Sequence, residues 1–218
     1  VGLLPDGQSP SAKDQPEKDK VDTVREVNLS LGKASRTRTF WLLLFAGAAP
    51  SLITTALTFH HVSFLASKGI PPGIAASIFG IMGPMQILGI FITGYMADRL
   101  PNRYLMAAGQ MLLVATMLWA FLITSTWQAF FYGALMGLSN GCLMTISTII
   151  WPNYYGRLHL GSIRGVTTSS IVAFSALGPL PFGFLFDLTK TYSLAILIFL
   201  ALPVPCTVAA LLAHPPDR

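Results

Sequence analysis

Gly94-Tyr95-Met96-Ala97-Asp98-Arg99-Leu100-Pro101-Asn102-Arg103 is a short charged break between two long apolar runs, and the chain is legible outward from it. Gly94 stands one helical turn before Asp98, so a helix ending here can bring the face carrying the acid close to a neighbour. Asp98, Arg99 and Arg103 cluster where charges stay hydrated at a membrane surface, and Pro101 stops the helix from continuing. Read from composition alone, the same stretch is equally an ordinary charged loop between membrane helices.

The flanking runs set the class. The chain is 53% hydrophobic and 11% charged, with a mean hydropathy of +0.61. Soluble domains carry roughly 25% charged residues, so the composition is that of a membrane protein. Six apolar segments are expected near residues 40–65, 74–97, 104–123, 128–151, 165–186 and 192–213. Each is long enough, at about 1.5 Å per residue, to cross a hydrocarbon core of about 30 Å. Backbone groups must pair within such a segment in lipid, which makes the runs helices and the fold an all-α membrane bundle. Turn chemistry separates them at Ser67-Lys68-Gly69, Pro101-Asn102, Thr124-Ser125-Thr126, Pro152-Asn153 and Thr189-Lys190-Thr191.

Residues 1–39 differ in kind. Lys13, Lys18, Lys20, Arg25, Lys33, Arg36 and Arg38 are interspersed with acids and prolines, which predicts disorder through about residue 22. An amphipathic turn is expected over residues 24–31, and residues 214–218 form a short tail. The chain opens on Val1 without a signal peptide, so it reads as part of something longer. Cys142 and Cys206 lie inside apolar runs, so neither a disulfide framework nor a metal site is expected, and no cofactor. The lipid bilayer is the expected partner, and nucleic acid is not.

Six crossings put both ends on one side. That side holds the seven basic residues of the tail with Arg99, Arg103, Arg157, Arg164 and Arg218, whereas Lys68 and Lys190 fall on the other. The positive-inside rule therefore predicts cytoplasmic termini, in a plasma or inner membrane.

The pattern Gly94-x-x-x-Asp98-Arg99-x-x-x-Arg103 resembles the signature loop of the major facilitator superfamily of secondary transporters, departing from it at Pro101 and Asn102. Residues 58–69, with His60 and His61, resemble the end of the seventh helix in the monocarboxylate-transporter-like and oxalate/formate-type members. Residues 154–165 resemble their loop before the eleventh helix. Gly178-Pro179, Gly183, Asp187 and Tyr192 fall where that group carries the same residues, and Gly2–Gly7 resembles the start of its central loop. The resemblance implies the C-terminal six-helix half of a twelve-helix transporter. It implies a missing N-terminal half as partner and a small organic solute, carboxylates included, moved by alternating access with or without a coupling proton.

Such transporters hold solute near the bilayer midplane. Counting from the helix ends puts Thr54, Gln86, Asn140 and Ser175 there. Gln86 and Asn140 need hydrogen-bond partners in hydrocarbon, so they are expected to face protein or a wet cavity, either as pathway residues or as interhelical contacts. Asn140 shares a helical stripe with Gly133, Gly137 and Gly141, which marks a tight contact bordering the pathway. Ser139 points nearly opposite Gly137. His60 is a candidate for proton or solute handling, or a polar group near the outer mouth, and His61 diverges from it around the helix. No lysine or arginine is counted near a midplane. Where carboxylate-carrying members have a basic residue, this chain has Gln86 and the stretch Thr167–Ser170.

By the resemblance Asp98 helps close the cytoplasmic side, with Arg99 and Arg103 pairing locally or meeting lipid phosphates. The competing expectation is a stand-alone six-helix protein, either an intramembrane hydrolase or a scaffold without transport. Lys68→Cys and Lys190→Cys are expected to react with an impermeant thiol reagent in intact cells, and Arg103→Cys and Arg157→Cys are not. The reverse pattern overturns the orientation.

Overall fold

A computed structural model describes residues 28–215. The expected disorder through residue 22 and the Gly2–Gly7 resemblance lie outside those residues. Six helical spans are long and apolar enough to cross a membrane: Arg38–Phe59, Pro72–Ala97, Asn102–Phe121, Thr126–Tyr155, Leu160–Thr189 and Tyr192–Leu212. No strand occurs among the described residues. The protein is an all-α integral membrane bundle of six spans.

The ends of the spans follow from local chemistry. Thr37 caps the first span by accepting from the Phe40 amide at 3.3 Å. That span stops at Phe59 rather than near residue 65, because His60 leaves the helical region and a separate helix, His61–Ser67, follows it. A capping box of Ser125 and Gln128 starts the fourth span at Thr126. The expected break at Pro152-Asn153 is absent. The helix runs through Pro152 to Tyr155 and ends at Gly156, whose φ of 82° favours glycine. The fifth span begins at Leu160, earlier than expected, which brings Arg164 out of the loop and into a helix. It turns at Gly178-Pro179, and the sixth turns at Ala201-Leu202.

The spans form an arc in the order fifth, first, sixth, third, fourth, second. The second and fifth close the arc with no extensive contact, and they are the least buried of the six. One apolar core, around Phe40, Leu43, Ile146, Trp151 and Tyr155, gathers at the end of the bundle that holds residues 28 and 215. Tyr154 donates to Ala213 O at 3.1 Å and Thr39 to His214 O at 2.8 Å, tying the first, fourth and sixth spans together at that end. We call it the termini end. A second core, around Leu57, Phe64, Tyr132, Phe182 and Tyr192, fills the opposite end. Phe91, Leu180, Phe184 and Leu188 are exposed on the second and fifth spans.

The second and fourth spans make the closest pair. Gly133 faces the Ile78 side chain, Gly137 the backbone of Met82 and Gly141 the carbonyl of Gln86, a four-residue register on both helices. Gly89 answers from the second span, where an added Cβ would lie 2.5 Å from Leu138 O. Lipid tails are as apolar as leucine, so helices in a membrane associate through close van der Waals packing, and small residues permit it. Gly94 does not take part: a Cβ there meets no atom within 4 Å among the described residues. The close approach inferred for Gly94 belongs to Gly89 instead.

Gly137→Ala and Gly141→Ala are expected to destabilise the bundle by about 1–3 kcal/mol, the usual cost of overpacking. Gly94→Ala should be neutral or stabilise by up to about 1 kcal/mol through helix propensity. Thermal unfolding of the purified protein in detergent distinguishes them. Equal midpoints for all three variants would refute the tight-contact reading.

Candidate functional site

The arc encloses a cavity of about 630 Å³ lined by the first, second, fourth and fifth spans. Its polar lining comprises Ser51, Thr54, Thr55 and Thr58 of the first span, Gln86 of the second, Asn140, Ser147 and Thr148 of the fourth, and Arg164, Thr167 and Thr168 of the fifth. Phe59, Leu143, Met144 and Ile171 supply apolar surface. A mostly preformed, concave site with a few convergent polar groups is the usual form of a small-molecule site.

Helix geometry decides what the hydroxyls offer. Thr148 donates back to Met144 O at 3.0 Å, and Thr54 and Thr167 to Ser51 O and Arg164 O, both at 3.3 Å. With their hydrogens directed into the helix, these side chains present oxygen lone pairs to the cavity. Donors come from Arg164 and from the amides of Gln86 and Asn140. Gln86 makes one weak contact, Nε2 to Met144 Sδ at 3.8 Å. Asn140 makes no hydrogen bond among the described residues, so its donor and acceptor are both open to the cavity.

Of the pathway residues expected from sequence, Thr54, Gln86 and Asn140 line the cavity together, and Ser175 and His60 do not. Those two lie instead in a seam between the first and fifth spans. Ser51 Oγ donates to Ile171 O at 2.9 Å, the Thr55 and Ser175 hydroxyls meet at 2.6 Å, and His60 Nε2 meets Pro179 O at 3.2 Å. Because a carbonyl only accepts, that last contact needs the hydrogen on Nε2. Between these rungs Gly178 packs against the Leu52 backbone. The seam repeats along two helices running the same way, which a midplane count on each helix alone cannot reveal. His61 turns the other way, as expected, with Nε2 3.1 Å from Ala75 O and its ring stacked on Tyr132.

Two interhelical contacts repair proline damage. Pro50 has no N–H for Ala46 O, and Gln110 of the third span donates to that carbonyl at 2.6 Å. Pro152 likewise leaves Thr148 O without its helical donor, and Arg164 Nη1 supplies one at 3.1 Å. Arg164 is thus the cation that sequence counting assigned to a loop, yet it borders the cavity. The signal that could have found it is Pro152, whose position inside a span demands an outside donor for residue 148.

The charged loop residues stay away from the cavity. Asp98 is exposed and forms no ion pair among the described residues. Arg99 lies over the Tyr95 ring at 4.1 Å, and Arg103 over Tyr104 at 4.8 Å with a hydrogen bond to its hydroxyl at 3.1 Å. Local pairing is therefore with aromatic rings. Ser139 is buried and donates to Met136 O at 3.1 Å, off the cavity.

The seam is measurable. In a double-mutant cycle of Thr55→Val and Ser175→Ala read by thermal unfolding, a coupling of about 0.6 kcal/mol is expected, the average for interhelical hydrogen bonds in membrane bundles. Fully additive effects would show that the 2.6 Å contact contributes nothing to stability.

No protein-family model matches the chain, and a search of curated proteins finds no match.

Proposed function

We propose that this chain is the C-terminal six-helix half of a secondary transporter of the major facilitator type, moving a small organic solute across the membrane by alternating access. The observation that carries the reading is the cavity itself. Thr54, Gln86 and Asn140 converge on about 630 Å³ lined by hydroxyls, two amides and one guanidinium. The arc that surrounds it is open between the second and fifth spans, the least buried pair. A companion half seated on that face would complete a pathway with solute near the midplane. The termini lie on the cytoplasmic side in this reading, in a plasma or inner membrane. Asp98 then sits at the cytoplasmic end of the second span, exposed and free to face the positive end of a helix in the companion half.

The lining favours a solute rich in hydrogen-bonding groups, and Arg164 adds the positive charge that a carboxylate needs, which the midplane count had not supplied.

In proteoliposomes containing the chain together with its N-terminal half, saturable uptake is expected for at least one of a panel of labelled neutral, anionic and cationic organic solutes. Asn140→Leu and Gln86→Leu should each lower that uptake about tenfold or more while leaving the protein folded. Ser139→Ala should leave uptake unchanged. Folded, reconstituted protein that moves no solute of the panel, or Leu variants with wild-type uptake, would overturn the proposal.

A further inference from the structure

Resting on that reading of the cavity, we propose that Arg164 is a latch that closes the termini side of the cavity by joining the fifth span to the fourth. Its acceptor is prepared in advance. Pro152 cannot donate to Thr148 O, so this carbonyl, alone on its turn, is open to a partner outside the helix. Arg164 Nη1 reaches it at 3.1 Å, and both residues border the cavity. They mark its termini side: Thr148 lies toward the Tyr155 end of the fourth span and Arg164 near the Leu160 start of the fifth.

The wider packing makes this the contact that yields. Among the described residues it is the one hydrogen bond between the fourth and fifth spans. The fifth is held to the first by three, at Ser51–Ile171, Thr55–Ser175 and His60–Pro179. The fourth is locked to the second by backbone contact at Gly137 and Gly141. The first and fourth spans are themselves tied at the termini end, where the Thr37 and Tyr155 hydroxyls meet at 3.1 Å. The element free to shift is therefore the start of the fifth span, which none of the three rungs reaches, and swinging it from the fourth breaks Arg164–Thr148. The bond is also readily exchanged. It uses one of five guanidinium N–H groups on a neutral acceptor, and no acid among the described residues pairs with Arg164. Arg164 acts here as a positioning residue: it sets which side of the cavity is open.

The test places a single cysteine at Thr54 in a background with Cys142→Ser and Cys206→Ser, in the full-length protein. The rate of its alkylation by an impermeant maleimide is measured separately from each side of sealed vesicles. Arg164→Ala is expected to raise the rate from the termini side on the order of tenfold, the factor that one charge-assisted hydrogen bond represents at the low end of its range. The rate from the opposite side should not rise. Pro152→Ala, which keeps the arginine but returns a helical donor to Thr148 O, should act in the same direction, and Arg164→Lys should fall between. If Arg164 only satisfies a stranded carbonyl, Arg164→Ala will lose thermal stability, the Pro152→Ala/Arg164→Ala pair will regain it, and alkylation will not change. That result overturns the latch. Solute flux in the same vesicles separates the two readings: flux with unmoved alkylation sinks the latch alone, and accelerated alkylation without flux in the parent protein supports the latch and sinks transport.

Discussion

A carbonyl inside a membrane must find a donor, and water is not there to provide one. Leaving one bare costs several kcal/mol, so the carbonyl freed by a proline within a span is a ready acceptor for a neighbouring helix. Pro50, Pro84 and Pro152 sit inside spans of this protein, and for Pro50 and Pro152 the freed carbonyl is met by a long polar side chain, Gln110 for Ala46 O and Arg164 for Thr148 O. These contacts link the third span to the first and the fifth to the fourth. They join helices from different parts of the arc.

The remaining contacts divide the bundle by chemistry. The second and fourth spans approach through glycines until backbone meets backbone, which leaves no room for sliding. The first and fifth are held by hydroxyls and an imidazole at four- to five-residue intervals along the first span. The cavity lies between a pair fixed by shape and a pair fixed by hydrogen bonds, with hydroxyl lone pairs and two amides turned into it. The third and sixth spans stand behind, away from the lining.

The Asp98 loop shows how far a motif can be read. Its arginines stack on Tyr95 and Tyr104, and this fixes their positions at the surface. Asp98 itself is left exposed and forms no ion pair among the described residues. A gating role for it belongs to the proposed transporter reading alone.

Sequence alone determined the class and the six spans, and it named Thr54, Gln86 and Asn140, which line the cavity. Hydrophobic run length is a property of one segment, and hydrocarbon imposes helix on any segment of that length. The stripe of Gly133, Gly137 and Gly141 was legible for the same reason, because a helix fixes which residues share a face. Tertiary structure decided the rest. Depth counted along one helix could not tell Thr54, which lines the cavity, from Ser175, whose hydroxyl is turned to Thr55. Gly94 and Gly89 have the same local chemistry, yet among the described residues only Gly89 has a helix against it. Pro152 looked like a terminator because its cost is paid locally, and it is tolerated because Arg164, from another span, offsets that cost. Each misreading concerns a partner distant in sequence, and no single segment encodes which neighbour will face it.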